Sequence, residues 1–311
     1  ISQQDVPPGG LLARNIVGAG MGGSALAGRI VASLDSHILK IPLTVSTEYH
    51  LPNFVDASTL VIISSYSGNT EETLSSLTDA MARRAQIFIL TSGGQLAELA
   101  SAKHLPVYVF NPKHNPSGQP RMGLGYSIAA LLFLLARCQF IKSPQNMTQL
   151  ASFLKSRQPE AEAQGRELAR KLAGKVVVLL SSEHLKGAAH AVKNMLNENS
   201  KNLACGFDLP EASHHLMEGL AYPQSNPQNL AFLLWNSSLY AVQVRARYPL
   251  TAEILTKQHI SVVDFPLSGS TPLEEAMAAI QTGAWLSYYL AGYNRIDPGP
   301  IPWVDYLKDK L

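Results

Sequence analysis

Ser65, Ser67 and Thr70 crowd the end of an apolar run, Val61-Ile62-Ile63-Ser64-Ser65-Tyr66-Ser67-Gly68-Asn69-Thr70. Strand-type residues stop at a cluster of hydroxyls, and Gly68-Asn69 turns the chain. A helical pattern follows, with Leu74, Leu77, Met81 and Ala82 on one face. Asn69 reads as the N-cap of that helix, with Glu72 as its capping-box partner. Backbone N–H groups and the positive end of the helix dipole would then point into a loop of neutral donors. The loop holds no Lys or Arg. It suits the phosphate of a small metabolite, although an ordinary serine-rich strand-to-helix turn would carry the same residues.

Proton chemistry has candidates in the second half of the chain. In Asn197-Glu198-Asn199, two amides flank a carboxylate at the end of a helical pattern, where they weaken helix propensity. Pro210-Glu211-Ala212-Ser213-His214-His215 is the other polar cluster, followed by Glu218. A carboxylate and an imidazole are the usual groups for moving protons between carbon and oxygen near neutral pH. Glu198 reads equally as a solvated helix end, and His214 as a capping or core histidine. The adjacent His214 and His215 face different ways outside a turn, which argues against a two-histidine metal site. Arg121, at the mouth of the apolar helix Ile128 to Phe140, is either an anion clamp or a surface charge with a buried stem.

These residues must be held by strands and helices in alternation. Arg14 to Val17 is a short strand running into Gly18-Ala19-Gly20-Met21-Gly22-Gly23-Ser24, and a helix over Ala25 to Leu34 follows. Gly18, Gly20 and Gly23 fit GxGxxG, and Glu48 lies just past the next strand, Ile41 to Thr47, which is the outline of a dinucleotide site. A second hydroxyl-rich loop at the neighbouring strand end favours one compact phosphate over an extended pyrophosphate. Ala85 to Leu90 is the next strand, ending in Thr91-Ser92-Gly93-Gly94. A helix over Gln95 to Lys103 and the strand Val107 to Val109 complete a parallel sheet with helices on both faces.

Two polar-apolar helical patterns, Gln145 to Ser156 and Pro159 to Ala173, read as the region linking two domains, set at 1–150 and 151–311. The strand–serine turn–helix pattern then restarts. Lys175 to Leu180 ends at Ser181-Ser182-Glu183 before a helix over Leu185 to Asn197, so a second α/β domain of the same kind is expected. Further strands are Leu230 to Trp235 and Ile260 to Phe265. Ser237 to Lys257 between them is helical in pattern, with Pro249 interrupting it. Helices over Pro272 to Ala291 and Trp303 to Leu311 close the chain.

A chain of 311 residues suits two domains, and 46% hydrophobic against 15% charged content supplies substantial cores. The net charge of +2 with no Lys/Arg block disfavours nucleic acid. Cys138 and Cys205 lie far apart in apolar surroundings, which argues against a disulfide framework or zinc site and for a reducing cytoplasm. No signal-peptide pattern is read, and Ile128 to Phe140 is too short to span a bilayer. The chain starts at Ile1 without a Met, so residues upstream are expected.

Together these stretches resemble the bifunctional phosphoglucose/phosphomannose isomerases, built from two sugar-isomerase (SIS) domains. The resemblance runs from Gly18 to Lys308. Its pieces are Gly20-Met21-Gly22-Gly23-Ser24, Ser65-Tyr66-Ser67-Gly68-Asn69-Thr70, Pro120-Arg121, Asn197-Glu198-Asn199, Pro210-Glu211 with His214, and Leu307-Lys308. It implies two three-layer αβα domains, each a parallel sheet flanked by helices. Gly23, Ser24, Ser65, Ser67 and Thr70 match the phosphate-binding residues. Glu198 matches the base that moves a proton between C2 and C1. His214 and Lys308 match the groups that assist ring opening, and Arg121 the group near the enediolate.

The resemblance further implies glucose 6-phosphate and mannose 6-phosphate interconverted with fructose 6-phosphate through a cis-enediol, with no cofactor and no metal. It implies a homodimer in which the histidine comes from the neighbouring subunit. The chain departs from the family where His214-His215-Leu216 replaces a common His-Asn-Glu, and where Gly299 replaces a frequent Thr. Both departures bear on sugar preference. Competing readings are a non-catalytic sugar-phosphate-binding SIS protein, an isomerase of another phosphosugar, and an NAD enzyme using Gly18, Gly20 and Gly23.

Overall fold

A computed structural model gives the fold and describes residues 12–34, 38–142 and 146–310. The chain divides into two compact units, Ile1–Met147 and Thr148–Leu311. Gln145 and Leu311, the outer bounds of two expected helices, lie outside the described residues.

The first unit is a five-stranded parallel sheet. Its strands are β1 (Asn15–Gly20), β2 (Leu43–Ser46), β3 (Thr59–Ser65), β4 (Gln86–Thr91) and β5 (Val107–Val109), in the spatial order β2-β1-β3-β4-β5. β3 lies centrally, and its Leu60, Val61, Ile62 and Ile63 are buried, as a continuous apolar run in a parallel sheet requires. The helices are α1 (Leu26–Ser33), α2 (Glu71–Ala82), α3 (Gly94–Ala102) and α4 (Leu124–Arg137). Strand alternation sorts them into two layers. Val17, Ala19, Val61, Ile63, Ile87 and Ile89 pack with Leu77 and Ala80 of α2 and Leu96 and Ala100 of α3. On the opposite face Gly18 and Ile62 meet Ala27 and Gly28 of α1 and Leu131 of α4 around a cavity of about 20 Å³.

In the second unit β6 (Val176–Ser181), β7 (Ala204–Asp208), β8 (Leu230–Ser237) and β9 (Ser261–Leu267) form a parallel sheet in the order β7-β6-β8-β9. The order repeats that of β2-β1-β3-β4, so the restarted pattern is a repeated topology. Its longer helices are α5 (Met147–Ser156), α6 (Gln158–Leu172), α7 (Lys186–Asn199), α8 (Arg247–Lys257), α9 (Pro272–Tyr293) and α10 (Pro302–Lys308), and a four-residue helix, Val242–Arg245, precedes α8. Thr271 caps α9, its hydroxyl accepting from Glu274 N at 3.2 Å, while the Glu274 carboxylate accepts from Ser270 N at 2.8 Å. Glycines let α9 close on both neighbours. A Cβ on Gly165 of α6 would stand 2.4 Å from Trp285 Cβ, and one on Gly283 would stand 2.2 Å from a Val192 methyl of α7.

Several expectations are corrected. The helices expected to link two domains belong to the second unit. α6 buries Ala161, Gly165, Leu168, Ala169 and Leu172, and its exposed Gln, Glu and Lys are only the outer face of a core helix. Pro249 does not interrupt a helix; it stands in the first turn of α8, where its missing N–H costs nothing, and the break falls at Ala246. β7 forms where the sequence carries no strand pattern. Gly18 and Gly20 are not in a phosphate loop but inside β1, paired with Ile62 and Ser64.

Candidate active site

Two turns meet at the carboxyl ends of β1 and β3, the point where the strand order of the first unit reverses and where open α/β sheets bind ligands. After β1 the chain makes a 3₁₀ turn, Gly22–Ala25, before α1. Gly22 starts it at φ +50°, and a Cβ there would meet nothing within 4 Å, so space opens beside the turn. Gly20 and Gly23 serve close packing instead. A Cβ on Gly20 would stand 2.9 Å from Ser64 O, and one on Gly23 would stand 2.9 Å from Pro120 Cβ and 3.0 Å from Arg121 N. The sequence Pro120-Arg121 thus lies directly against the first turn.

Hydroxyls stitch the two turns together. Ser24 Oγ accepts from Tyr66 N at 2.9 Å, and Ser64 Oγ donates to Ser24 O at 3.0 Å. Ser65 Oγ accepts from Gly68 N at 3.1 Å and shares a 2.9 Å hydrogen bond with Thr70 Oγ1. Ser67 Oγ accepts from Asn69 N at 3.3 Å. Ser24 and Ser65 are buried and Ser67 is exposed, so the set runs from core to solvent.

The N-cap of α2 is Thr70, and no side chain caps it. This overturns the expected pairing of Asn69 with Glu72. The Asn69 carboxamide turns to the next helix, its Oδ1 accepting from Gln95 N of α3 at 3.0 Å. The uncapped first turn of α2 keeps its N–H groups and dipole directed at the loop, the arrangement that favours an anion. Glu71 of that turn is engaged from outside by Tyr49 OH at 3.2 Å.

Arg121 is 2% exposed, which decides between the two readings of its side chain: it is not a surface charge. Its Nη1 donates to Gln119 Oε1 at 2.8 Å. A desolvated guanidinium beside two anion-favouring turns strengthens the attraction for a phosphorylated ligand.

The second unit presents the proton-transfer candidates. Glu198 is half-buried in the last turn of α7. The flanking amides explain the sequence Asn197-Glu198-Asn199. Asn197 clasps Ala204, donating to its carbonyl at 2.9 Å and accepting from its N–H at 3.2 Å, while Asn199 donates to Ser287 Oγ of α9 at 2.9 Å. Lost helix propensity is thus replaced by two anchors that fix the carboxylate between them. His214 is exposed in the 3₁₀ turn Glu211–His214 that follows β7. His215 points elsewhere, its Nε2 3.3 Å from Glu211 Oε2 and its ring against Phe207. Lys308 is exposed at the end of α10, a helix with no buried residue. Gly299 N donates to Asp297 Oδ1 at 2.8 Å. Among the described residues no group of three His, Cys, Asp or Glu side chains could hold a metal ion, and no helix is long and apolar enough to cross a membrane.

The second unit's counterpart of the hydroxyl-lined turns is closed by its own side chains. Glu183 begins the 3₁₀ turn after β6 at φ +42°, the conformation of Gly22 in the first unit. Its carboxylate accepts from Ala241 N beyond β8 at 3.1 and 3.3 Å. Ser237 Oγ donates to Glu275, which also holds the buried His184 at 2.8 Å. Tyr240 OH accepts from Ser182 N at 3.2 Å, and Tyr248 OH lies 3.1 Å from Ser182 Oγ. Burial raises both phenols, Tyr248 to about 12, so they stay protonated hydrogen-bonding groups. The serines Ser181 and Ser182 do not separate this filled turn from an open one; the signal in the sequence is the exchange of Gly22 for Glu183 at matching positions.

Parallel sheets of this order, repeated twice and carrying a hydroxyl-lined turn pair in the first copy, define a protein of the sugar-isomerase class with two SIS units in tandem. The profile of the bacterial phospho-glucose isomerase C-terminal SIS domain matches residues 161–311. A bifunctional phosphoglucose/phosphomannose isomerase of Caldicellulosiruptor bescii is 32% identical over 306 residues, 95% of this chain and 89% of that protein. The chain belongs to the bifunctional phosphoglucose/phosphomannose isomerase family. A D-glucosamine-6-phosphate 4-epimerase of Sulfolobus acidocaldarius is 31% identical over 221 residues, 70% of this chain and 68% of that protein. Among solved structures, the tagatose-6-phosphate ketose/aldose isomerase of Escherichia coli superposes with a TM-score of 0.70 at 17% identity, covering 93% of this chain and 84% of that one, a likeness of fold.

Proposed function

We propose that the chain is an aldose–ketose isomerase that interconverts glucose 6-phosphate and mannose 6-phosphate with fructose 6-phosphate through a cis-enediol. The observation that carries the reading is the pair of hydroxyl-lined turns at the β1/β3 switch point, with uncapped α2 and buried Arg121 beside them. Ser24, Ser65, Ser67 and Thr70, with the close-packed Gly23, hold the phosphate. Glu198 takes the proton from C2 and returns it to C1. Arg121 stabilises the developing enediolate charge. His214 and Lys308 assist opening of the sugar ring. Glucose and mannose 6-phosphates differ at C2, which becomes planar in the enediol, so one base serves both. This chemistry calls for no cofactor.

A homodimer with shared sites is part of the proposal. Glu198 and His214 stand at opposite ends of the second sheet, whereas C1 of a hexose is bonded to both C2 and the ring oxygen. A second copy supplies the histidine. A phosphorylated metabolite as substrate also favours the cytoplasm as the enzyme's compartment.

The similarity to a 4-epimerase supports a second reading, in which the same phosphate turns present an amino sugar for inversion at C4. Incubation with fructose 6-phosphate, and separately with glucosamine 6-phosphate, followed by product analysis decides between them. Glucose and mannose 6-phosphates from the first substrate, with the second unchanged, support the isomerase. Inversion at C4 of the second, with the first inert, supports the epimerase.

A further inference from the structure

We propose that Tyr66 and Asn115 are positioning residues that set Arg121 against the phosphate turns. The proposal rests on the isomerase reading and adds to it two residues without a role there. The loop from β5 to α4 is rich in Pro, Asn and Gly, and such a segment holds one conformation only if side chains fix it. Asn115 does this from within. It is 7% exposed, and its Nδ2 donates to Gln119 O and to Tyr66 OH, each at 2.8 Å, while its Oδ1 accepts from Ser117 Oγ at 2.6 Å. Gln119 in turn accepts from Arg121 Nη1 through its side chain. A continuous path therefore runs from the guanidinium through Gln119 and Asn115 to the Tyr66 hydroxyl.

Tyr66 ends that path inside the second phosphate turn. Its N–H donates to Ser24 Oγ of the first turn, and its carbonyl accepts from Ser92 N and Oγ. Its ring meets Phe110 edge-on at 5.5 Å, and Phe110 stacks on Tyr126, whose hydroxyl accepts from His114 N. Gly123 leaves room for the junction, since a Cβ there would stand 2.9 Å from both Asn115 Nδ2 and the Tyr66 ring. Tyr66 thus joins three things by one residue: the first turn through its N–H, the second turn by its place in the chain, and the Arg121 loop through its hydroxyl. Buried polar networks of this kind specify geometry when their members are satisfied. An error of about 1 Å in a charge-stabilising group can cost on the order of 100-fold in rate.

The test is a double-mutant cycle on fructose 6-phosphate turnover with Tyr66→Phe, Arg121→Ala and the double variant. Tyr66→Phe removes one hydroxyl and keeps the ring contacts. It should lower kcat roughly 10-fold while KM stays within about twofold, because the phosphate turns retain their own bonds. In the Arg121→Ala background the same substitution should change kcat by less than about twofold, since it acts through Arg121. Asn115→Asp, which exchanges the donor for an acceptor at the same size, should repeat this pattern and serves if Tyr66→Phe folds poorly. Unchanged kcat in Tyr66→Phe, equal losses in both backgrounds, or a rise in KM alone would overturn the proposal. Those outcomes leave the isomerase reading standing, whereas wild-type protein inert toward fructose 6-phosphate would overturn both.

Discussion

Glu198 and His214 lie at opposite ends of the second parallel sheet. α7 runs back from the carboxyl end of β6, so Glu198 in its last turn sits beside Ala204, the first residue of β7. β7 then crosses the sheet to Asp208, Leu209 N donates to Ser181 O at the carboxyl end of β6, and His214 follows. The five residues of β7 span roughly 17 Å at about 3.3 Å per residue, several times the distance between neighbouring atoms of one sugar. On the proposed shared-site reading, a site that uses both side chains draws them from two chains.

Mixing Glu198→Gln subunits with His214→Ala subunits should therefore restore activity that neither has alone. In a mixed dimer one of the two sites receives both intact side chains. About half the dimers are mixed at equal subunit concentrations, so rescue should approach about one quarter of wild type. Subunit exchange is followed with a tagged copy. Exchange without returning activity would assign His214 to its own chain or remove it from the reaction.

The phosphate turns make a prediction about binding. In the double variant Ser67→Ala, Thr70→Ala, KM for fructose 6-phosphate should rise more than kcat falls. A hydrogen bond to a charged group contributes roughly 1.5–3 kcal/mol, and in the proposed site these hydroxyls act on the phosphate rather than on the reacting carbons. Steady-state kinetics with an unchanged KM would place the phosphate elsewhere.

Gly18 separates a phosphosugar site from a dinucleotide site. It lies within β1 facing α1 and α4, and a Cβ there would meet nothing within 4 Å. Gly18→Ala should leave kcat unchanged and raise stability in urea unfolding by roughly 0.4–1 kcal/mol, through a less flexible unfolded chain. Loss of activity or of stability would show that the glycine is needed for close approach of a ligand or of the backbone.

Much of this was legible in the residues, and the gaps have physical causes. The apolar run of β3 and the hydroxyls behind it announce a buried strand and a donor-rich turn, because both depend on side chains adjacent in sequence. Asn69 reads as the cap of α2 but serves α3, because a carboxamide can reach the start of either helix and only the tertiary turn decides. β7 has no strand pattern in the sequence because Ala204-Cys205-Gly206-Phe207-Asp208 has no β-branched residue, its place in the sheet coming from pairing with β6. α6 reads as a linker because its polar outer face dominates the composition, whereas Gly165 against Trp285 shows how tightly the inner face is packed. Asn115 bonds Ser117 and Gln119 within its own loop, but its link to the Tyr66 hydroxyl, 49 residues away in sequence, has no local sign. The separation of Glu198 from His214 follows from the direction of one helix and one short strand, neither visible in the spacing of the two residues.

The most direct measurement of the central claim is turnover of fructose 6-phosphate by Glu198→Gln, with binding of the same sugar phosphate measured alongside. The amide keeps the shape of the carboxylate between the anchored Asn197 and Asn199 but cannot carry the proton. Glucose and mannose 6-phosphates should form at least about 100-fold more slowly than with wild type, with binding retained. Turnover close to wild type would contradict the account, because the proton between C2 and C1 would then have another carrier.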